Sequence, residues 1–243
     1  MPVVAVIQAR MGSTRLPGKV LEPIGDRPLV LWTVAAAQAI DDVDSVVVAT
    51  TTEHADDPLA RLVAEHGVAV HRGPVRDVLA RVWEAAAPHA PEYLVRATAD
   101  NPFMDPTVVA RQLRRCRDEG LDYVGTAGWP LGIAAEVARA GALAQAWAEA
   151  REPADREHVM PFLYAHPERF RIGEARPETP VPEARFTVDT PEDLEFARQI
   201  AARLGAVGIC TLDRLAAILE AEPELAQINR GVRQRTWQEV EER

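Results

Sequence analysis

Short apolar runs alternate with amphipathic segments through the first half of the chain. The apolar runs predict strands, the first of which is apolar throughout and suits burial on both faces of a sheet. They span residues 3–7, 45–50, 68–71 and 93–98. Helical patterns with capping residues and turn-forming glycines predict helices at residues 28–40, 57–67, 77–87 and 106–119. Strands that alternate with helices form right-handed βαβ units, so we expect an α/β fold with a mainly parallel sheet.

The alternation becomes less regular after Gly120. Apolar runs predict short strands at residues 122–124, 136–138, 170–172 and 185–188, and helical patterns predict helices at 140–150 and 157–164. The sequence from Thr190 to Asp193 is a capping-box pattern, which predicts a helix that continues to about Leu204. Because no Gly/Ser-rich linker interrupts the chain, we interpret residues 121–184 as an insertion within one domain that spans residues 1–226. The polar tail at residues 227–243 is either an extra helix or a loose end.

Composition is typical of a globular protein, with 47% hydrophobic and 26% charged residues among 243. No apolar run is long enough to span a membrane, and Arg10 interrupts the amino terminus before a signal-like region could form. We therefore expect no membrane partner. The cysteines Cys116 and Cys210 lack metal-ligand spacing and cannot form a disulfide framework, so we interpret them as ordinary thiols in a reducing cytoplasm.

The charge balance restricts the class of partner. The formal net charge is −10, from 37 carboxylates against 27 lysines and arginines. Nucleic-acid-binding proteins usually carry a basic stripe, so we expect no nucleic-acid partner, whereas a small anionic ligand in a locally positive pocket is compatible with this balance. Lys19 is the only lysine, and all other cations of this count are arginines. A lysine in so arginine-rich a chain indicates a site that needs a compact ammonium, although chance is the alternative.

The segment after the first strand has the densest set of candidate binding groups. Residues 8–19 contain three arginine or lysine side chains, two hydroxyls, and glycines at which the backbone can approach a ligand closely. A loop at the carboxyl end of a strand can hold a polyphosphate through backbone N–H groups and cationic side chains. The segment matches neither the P-loop nor the dinucleotide-binding glycine pattern, and an exposed arginine-rich turn is the alternative interpretation.

Two carboxylates are predicted to lie near that loop. Asp100 follows the fourth strand, and Asp189 ends the strand predicted at residues 185–188. If these strands are parallel, both carboxylates lie at the carboxyl edge of the sheet, where open α/β sheets bind ligands. Two carboxylates that face a triphosphate suit Mg²⁺, which prefers a few protein oxygens plus phosphate and water. For Asp189 alone, a charge that stabilises a helix N-terminus is an equal alternative.

Several other charged residues are candidates for ligand contacts. Arg72 ends the third strand at the same edge, and Arg96 lies inside the fourth, where an arginine needs a carboxylate or a ligand as partner. Residues 155–158 form a dense polar cluster that contains Arg156 and His158. A capped, solvated helix end is the alternative for that cluster.

Four segments, at residues 7–21, 72–79, 155–159 and 188–194, resemble the spore-coat-polysaccharide type of cytidylyltransferase, which is related to the CMP-acylneuraminate and CMP-ketodeoxyoctonate synthetases. The resemblance covers nearly all of residues 1–205. It implies a Rossmann-like three-layer nucleotidyltransferase fold with a mainly parallel sheet and a small inserted lobe. It also implies transfer of CMP from CTP to a sugar with release of pyrophosphate, with Mg²⁺ as cofactor and a homodimer as the common assembly.

From these residues and this resemblance we predict the site. The catalytic residues are Lys19, Arg10, Asp100 and Asp189, with the two carboxylates as metal ligands. The nucleotide-binding residues are Ala9, Arg10, Gly12, Ser13, Thr14, Arg15, Lys19 and Arg72. The sugar-binding residues are Arg96, Glu136, Arg156 and His158. Relatives often place an aspartate where Leu131 or Ala134 stands, so sugar specificity does not transfer. The alternatives are a nucleotidyltransferase for another base or acceptor, and a non-catalytic nucleotide-sugar-binding or partner protein, which needs no metal carboxylates.

Overall fold

A computed structural model describes residues 1–205 and 209–234 of the chain. Its strands are β1 (Val3–Gln8), β2 (Pro23–Ile24), β3 (Arg27–Pro28), β4 (Ser45–Thr51), β5 (Ala69–Gly73), β6 (Tyr93–Thr98), β7 (Tyr123–Gly125), β8 (Glu136–Arg139) and β9 (Ile172–Glu174). Its α-helices are α1 (Leu29–Gln38), α2 (Asp57–Glu65), α3 (Val78–Ala86), α4 (Pro106–Asp118), α5 (Ala140–Glu149), α6 (Pro153–His158), α7 (Pro161–Tyr164), α8 (Pro191–Leu204) and α9 (Leu212–Ala221). Short 3₁₀ segments span Lys19–Leu21, His54–Asp56, Ala87–His89 and Pro223–Gln227.

Seven of these strands form one sheet in the order β5-β4-β1-β6-β8-β7-β9, and β2 and β3 form a separate antiparallel pair. β1 pairs in parallel with β4 and β6, and β4 pairs in parallel with β5. β8 runs antiparallel to both β6 and β7, and β9 runs parallel to β7. Within the part of the chain that the structure describes, β8 alone opposes the direction of this sheet. The prediction of a mainly parallel sheet is therefore confirmed.

Both faces of the sheet are covered by helices, as the continuous apolar run of β1 predicts. Ala5 and Ile7 belong to a buried cluster that includes residues of α1, α2 and α4. Val4 and Val6 belong to a second cluster with residues of α3, α5 and α7. Alternate side chains of one strand thus support opposite faces of the sheet, which gives the expected three-layer α/β architecture.

A third buried cluster connects the carboxyl-terminal helices to the rest of the fold. It includes residues of α8 and α9 together with Phe103 and Phe186, whose rings meet edge to face with their centroids 6.5 Å apart. Both phenylalanine side chains are almost fully buried. This packing holds the segment before α8 against the connection from β6 to α4, and so places the two predicted metal carboxylates on neighbouring loops.

Most predicted elements agree with the structure to within about two residues, and three differ. Residues 185–188 are not a strand, because their backbone amides are satisfied by loops: Phe186 donates to the Leu131 carbonyl and Val188 to the Asp100 carbonyl, each at 2.8 Å. The helix predicted at residues 157–164 is divided between α6 and α7, with Val159 at φ 76° between them. The strand predicted at residues 170–172 is shifted to Ile172–Glu174.

The region after Gly120 completes the large sheet instead of forming a sheet of its own, since β7, β8 and β9 all join it. Of the predicted tail, residues 227–234 are described and 235–243 lie outside the described residues. Asn229 in this segment is buried, with 3% of its surface exposed. No helix in the described ranges combines the length and apolarity that crossing a membrane requires.

A substitution at Gly132 tests the contact between residues 130–135 and the segment before α8. Gly132 has φ 97°, and a Cβ atom there would lie 2.7 Å from both the Phe186 carbonyl carbon and the Thr187 nitrogen. We expect Gly132→Ala to lower the free energy of unfolding by about 2 kcal/mol or more, because backbone atoms cannot yield cheaply. Urea denaturation measures this. Gly141→Ala is the control, because nothing lies within 4 Å of a Cβ atom at that helical position, and a loss of the same size there would contradict the interpretation.

Candidate functional site

A cavity of about 770 Å³ opens where β1 and β6 end. Its wall is formed by the loop after β1, the loop after β6, residues 129–136 and parts of α3, α6 and α7. Eleven of the predicted site residues line it: Ala9, Arg10, Gly12, Ser13, Arg15, Lys19, Arg96, Asp100, Glu136, His158 and Asp189. The convergence at the carboxyl edge that the sequence predicted is therefore present in the fold.

The loop after β1 is closed around the carbonyl oxygen of Met11. This oxygen accepts hydrogen bonds from the amides of Ser13 (3.1 Å) and Gly18 (2.9 Å). Gly18 has φ 75°, a conformation that glycine adopts without a steric penalty, and the one-turn helix Lys19–Leu21 begins directly after it. The left-handed residue reverses the chain, so that the side chain of Lys19 enters the protein interior.

Asp56 fixes this loop to the neighbouring strand connection. Its Oδ1 atom accepts a hydrogen bond from the Met11 amide at 2.6 Å, and its Oδ2 atom accepts from the amide (3.3 Å) and hydroxyl of Thr51. Only 3% of Asp56 is exposed. Sequence reasoning missed this residue, because two consecutive aspartates before a proline indicate the start of a helix and no further role.

The ammonium group of Lys19 is the centre of the site. Its Nζ atom donates to Asp100 Oδ2 and to Asp189 Oδ1, each at 2.8 Å. The third acceptor is the Val188 carbonyl, also at 2.8 Å. Burial alone lowers the pKa of this ammonium, but the two carboxylates outweigh burial and raise it above its usual value. Lys19 is therefore a buried cation whose three donors all have protein partners.

The two carboxylates have additional partners of their own. Asp100 Oδ1 accepts from the Thr98 hydroxyl at 2.5 Å. Burial raises the pKa of the Asp100 carboxyl, but Lys19 and Thr98 outweigh it, so the pKa lies below its usual value. Asp189 pairs with Arg15 at 3.1 Å and also with Arg185. Arg185 also pairs with Asp193, so three cations and three carboxylates balance within this cluster.

Three predicted residues are not part of this cavity. Arg72 donates to the Thr51 carbonyl at 2.8 Å and the Glu53 carbonyl at 2.9 Å and pairs with Asp57 at 2.6 Å, so it supports the connection between β4 and α2. Arg72 does not line this cavity, and its predicted contact with the nucleotide stays a prediction. None of the residues that provide its three acceptors lines the cavity.

Arg156 and Thr14 likewise do not line the cavity, and their predicted ligand contacts stay predictions. Arg156 holds Asp77 at the start of α3 through Nε, at 3.0 Å, and Nη2, and donates to the Trp147 carbonyl at 2.7 Å. Thr14 is exposed at the surface of the loop and does not line the cavity. Arg81, which was not predicted, is buried and does line it.

Gln8, Arg96 and Glu136, on β1, β6 and β8, line the cavity as parts of one polar network. Arg96 donates to Gln8 Oε1 from Nε (3.0 Å) and Nη2 (2.7 Å), and pairs with Glu136 Oε2 at 2.5 Å. The hydroxyl of Tyr123 donates to Glu136 Oε1 at 2.6 Å. Burial and the Glu136 charge raise the pKa of this phenol, so it remains a donor. The expectation that Arg96 needs a carboxylate partner is met by Glu136.

His158 also lines the cavity. Burial lowers the pKa of its imidazole, which favours the neutral ring at neutral pH. Among the residues that the structure describes, its buried Nε2 atom has no hydrogen-bond partner. A neutral imidazole with one unsatisfied nitrogen at a cavity wall can form a hydrogen bond to a hydroxyl-bearing ligand.

The metal chemistry of the site depends on the carboxylate pair. The described ranges contain no cluster of three or more His, Cys, Asp or Glu side chains able to hold a metal. Mg²⁺, however, is commonly held by one or two carboxylates and completes its coordination with phosphate oxygens and water. Asp100 and Asp189 are therefore the residues that would hold such an ion. Cys116 and Cys210 are free and buried, with thiol pKa values raised to about 12 by burial, and take no part in the cavity.

Comparison with known proteins identifies the family. The family model described as Cytidylyltransferase matches residues 4–224. The spore coat polysaccharide biosynthesis protein SpsF of Bacillus subtilis is 34% identical over 231 residues, which cover 92% of this chain and 96% of that protein. A 3-deoxy-manno-octulosonate cytidylyltransferase of Anaeromyxobacter dehalogenans is 39% identical over 110 residues, or 44% of each protein. A solved cytidylyltransferase from Leptospira borgpetersenii superposes with a TM-score of 0.87 at 27% identity, covering 97% of this chain and 99% of that one.

These matches agree with the geometry of the cavity. The family match extends from β1 into the segment after α9, and so includes the arginine-rich loop and both carboxylates. The structural likeness covers the same region and confirms the predicted nucleotidyltransferase fold. The resemblance on the four short segments is therefore confirmed over nearly the whole length, and the chain belongs to the cytidylyltransferase family.

Proposed function

We propose that this protein transfers CMP from CTP to a sugar hydroxyl and releases pyrophosphate. The observation that carries the proposal is that one cavity contains both a cluster of cations and carboxylates and a polar network with hydrogen-bond donors and acceptors. Arg10, Arg15 and Lys19 line the cavity together with the carboxylates of Asp100 and Asp189, and the polar network around Arg96 lines the same cavity. The first set suits a triphosphate with its metal, and the second suits a ligand rich in hydroxyls.

In this reaction the oxygen of the sugar hydroxyl forms a bond to the α-phosphorus and its proton passes to water. The bond from that phosphorus to the β-phosphate oxygen breaks, and pyrophosphate leaves. The protein contributes mainly position and charge, as in other phosphoryl transfers. Arg10 and Arg15 bind the triphosphate, and Lys19 keeps Asp100 and Asp189 together. Mg²⁺ held by these carboxylates and by phosphate oxygens would neutralise charge that develops on the phosphates.

The role of Lys19 in this proposal differs from that of a phosphate-binding lysine. Its three donors already have acceptors in the protein, so a direct contact to the β- or γ-phosphate requires it to exchange one of them. We therefore assign Lys19 the positioning of both carboxylates. Its compact ammonium, which the lysine-poor composition singled out, matches three acceptors at equal distances better than a planar guanidinium.

In this proposal the sugar is bound by the polar network around Arg96. Arg96, Glu136 and His158 provide a donor, an acceptor and a neutral imidazole for sugar hydroxyls. The Asp100–Lys19–Asp189 arrangement favours an enzyme over a nucleotide-sugar-binding protein, because binding alone needs no paired carboxylates. The proposal also includes a homodimer, as the family resemblance implies, and a cytoplasmic location, which the two free buried thiols support.

The preference for one nucleotide base follows from the backbone groups of Ala9, which lines the cavity. The Ala9 amide donates to the Ala49 carbonyl at 3.1 Å, so a base contact from Ala9 comes from its carbonyl oxygen. A carbonyl acceptor pairs with the N4 amino group of cytosine and faces the O4 acceptor of uracil unfavourably. We therefore propose that the nucleotide is CTP, and that UTP leaves an unpaired polar group at this position.

Pyrophosphate release with CTP, UTP and purine nucleotides, each with a panel of acid and neutral sugars, tests the proposal. We expect release with CTP and at least one sugar, and a kcat/KM for CTP at least about 10-fold above that for UTP, since one mismatched polar contact costs about 1–3 kcal/mol. Equal rates with CTP and UTP would show that the base assignment is wrong. Nucleotide binding without release for any sugar would favour the non-catalytic alternative.

Replacement of the lone lysine tests its positioning role. We expect Lys19→Arg to lower kcat by about tenfold or more, equivalent to about 1.4 kcal/mol, because a planar fork cannot reach all three acceptors in the same buried space. Steady-state pyrophosphate release measures kcat, and the melting temperature reports folding. The control is Arg230→Lys, which makes the opposite replacement at an exposed position and should leave kcat and the melting temperature unchanged. A Lys19→Arg protein with wild-type kcat would mean that Lys19 is a generic cation.

The two carboxylates are expected to act as one unit. Asp100→Asn and Asp189→Asn should each lower kcat by about 10²-fold or more, and the double variant should be scarcely worse than either, because groups that share one task are not additive. Single-turnover rates at saturating Mg²⁺ provide the comparison, with circular dichroism as the folding control. Losses that multiply in the double variant would indicate two independent roles.

A further inference from the structure

The described carboxyl-terminal residues are tied directly to the segment that carries Asp189. The Nδ2 group of Asn229 donates to the Arg185 carbonyl at 3.0 Å and to Asp193 Oδ1 at 2.9 Å. Asn229 is 97% buried by this contact, with 3% of its surface exposed. A buried amide whose donors reach two partners in another segment is a specific attachment, and a loose tail does not make one.

Arg185 connects this attachment to the site. Its Nε atom donates to Asp193 Oδ1 at 3.0 Å, and its Nη2 atom pairs with Asp189 Oδ2. Asp193 in turn accepts from the amides of Asp189 (3.0 Å) and Thr190 (3.1 Å) through Oδ2. Arg185 and Asp193 together thus hold both the backbone and the side chain of Asp189.

The last described residue reaches the cavity itself. Gln234 Oε1 accepts a hydrogen bond from Arg185 Nη1, and Gln234 lines the cavity beside Asp189. The three nitrogens of one guanidinium therefore have three different partners: Asp193, Asp189 and Gln234. Because the fork of an arginine is rigid, loss of one partner changes how the other two are held.

We propose that Asn229 and Gln234 are positioning residues of the nucleotide site, which act on Asp189 through Arg185, and that Gln234 also forms part of the cavity wall. The inference rests on the proposed function for its effect on turnover. Residues 229–234 are then a functional part of the enzyme, although their sequence gives no motif. Asn229 anchors the segment, and Gln234 completes the set of acceptors around Arg185.

The test compares Gln234→Ala and Asn229→Ala with Arg230→Ala. Arg230 is an exposed neighbour whose guanidinium contacts Gln227 at 3.3 Å and does not line the cavity. We expect Gln234→Ala to lower kcat/KM for CTP at least about fivefold at an unchanged melting temperature, and to raise the Mg²⁺ concentration that gives half the maximal rate. Both effects follow from a less ordered Asp189, and the Arg230→Ala protein should match the wild type.

A second measurement needs no turnover. Amide hydrogen exchange of the peptide that covers residues 185–194, without nucleotide or metal, should be faster in Asn229→Ala than in the wild type, because Asp193 loses a partner. Unchanged exchange in that variant, or Gln234→Ala kinetics equal to those of Arg230→Ala, would overturn the inference. A wild-type protein that releases no pyrophosphate contradicts the proposed function instead, and the exchange result then decides the positioning role by itself.

Discussion

The buried ammonium of Lys19 holds together parts of the chain that are otherwise far apart. It joins the loop after β1, the loop after β6 and the irregular segment before α8 through three hydrogen bonds of equal length. A buried charge is costly unless it is paired, and here burial is outweighed by two carboxylates, so the pKa of Lys19 is raised and that of Asp100 lowered. Both groups therefore remain charged through the neutral pH range, and the ion pair between them is kept.

The polar network around Arg96 depends on the antiparallel pairing of β8 with β6. Arg96 on β6 lies directly across from Glu136 on β8, and this register places the guanidinium and the carboxylate in contact. Gln8 at the end of β1 accepts from the same guanidinium. Because β8 runs antiparallel to β6, Glu136 lies beside Arg96 at the cavity. The same pairing joins the less regular second half of the chain to the parallel strands of the first half.

Sequence reasoning was accurate where local pattern decides the outcome. The apolar runs predicted the strands of the sheet. Lys19 and Asp100 each follow a predicted strand, which placed them at the carboxyl edge of that sheet. Local pattern does not determine the direction of a long side chain, as with Arg72, whose three acceptors lie at the connection between β4 and α2. Sequence reasoning missed Asp56 and Asn229, because their partners lie 45 and 36 residues away and no short pattern encodes them.

The attachment of the Met11 amide to Asp56 has an entropic consequence for ligand binding. A glycine-containing loop that was free in solution would lose conformational entropy each time it closed on a phosphate chain, and affinity would fall by that amount. In this fold the loop is ordered when the protein folds, since Asp56 and the Met11 carbonyl fix it from both sides. The connection between β4 and α2, which contributes no residue to the cavity wall, therefore belongs to the binding apparatus as its rigid support.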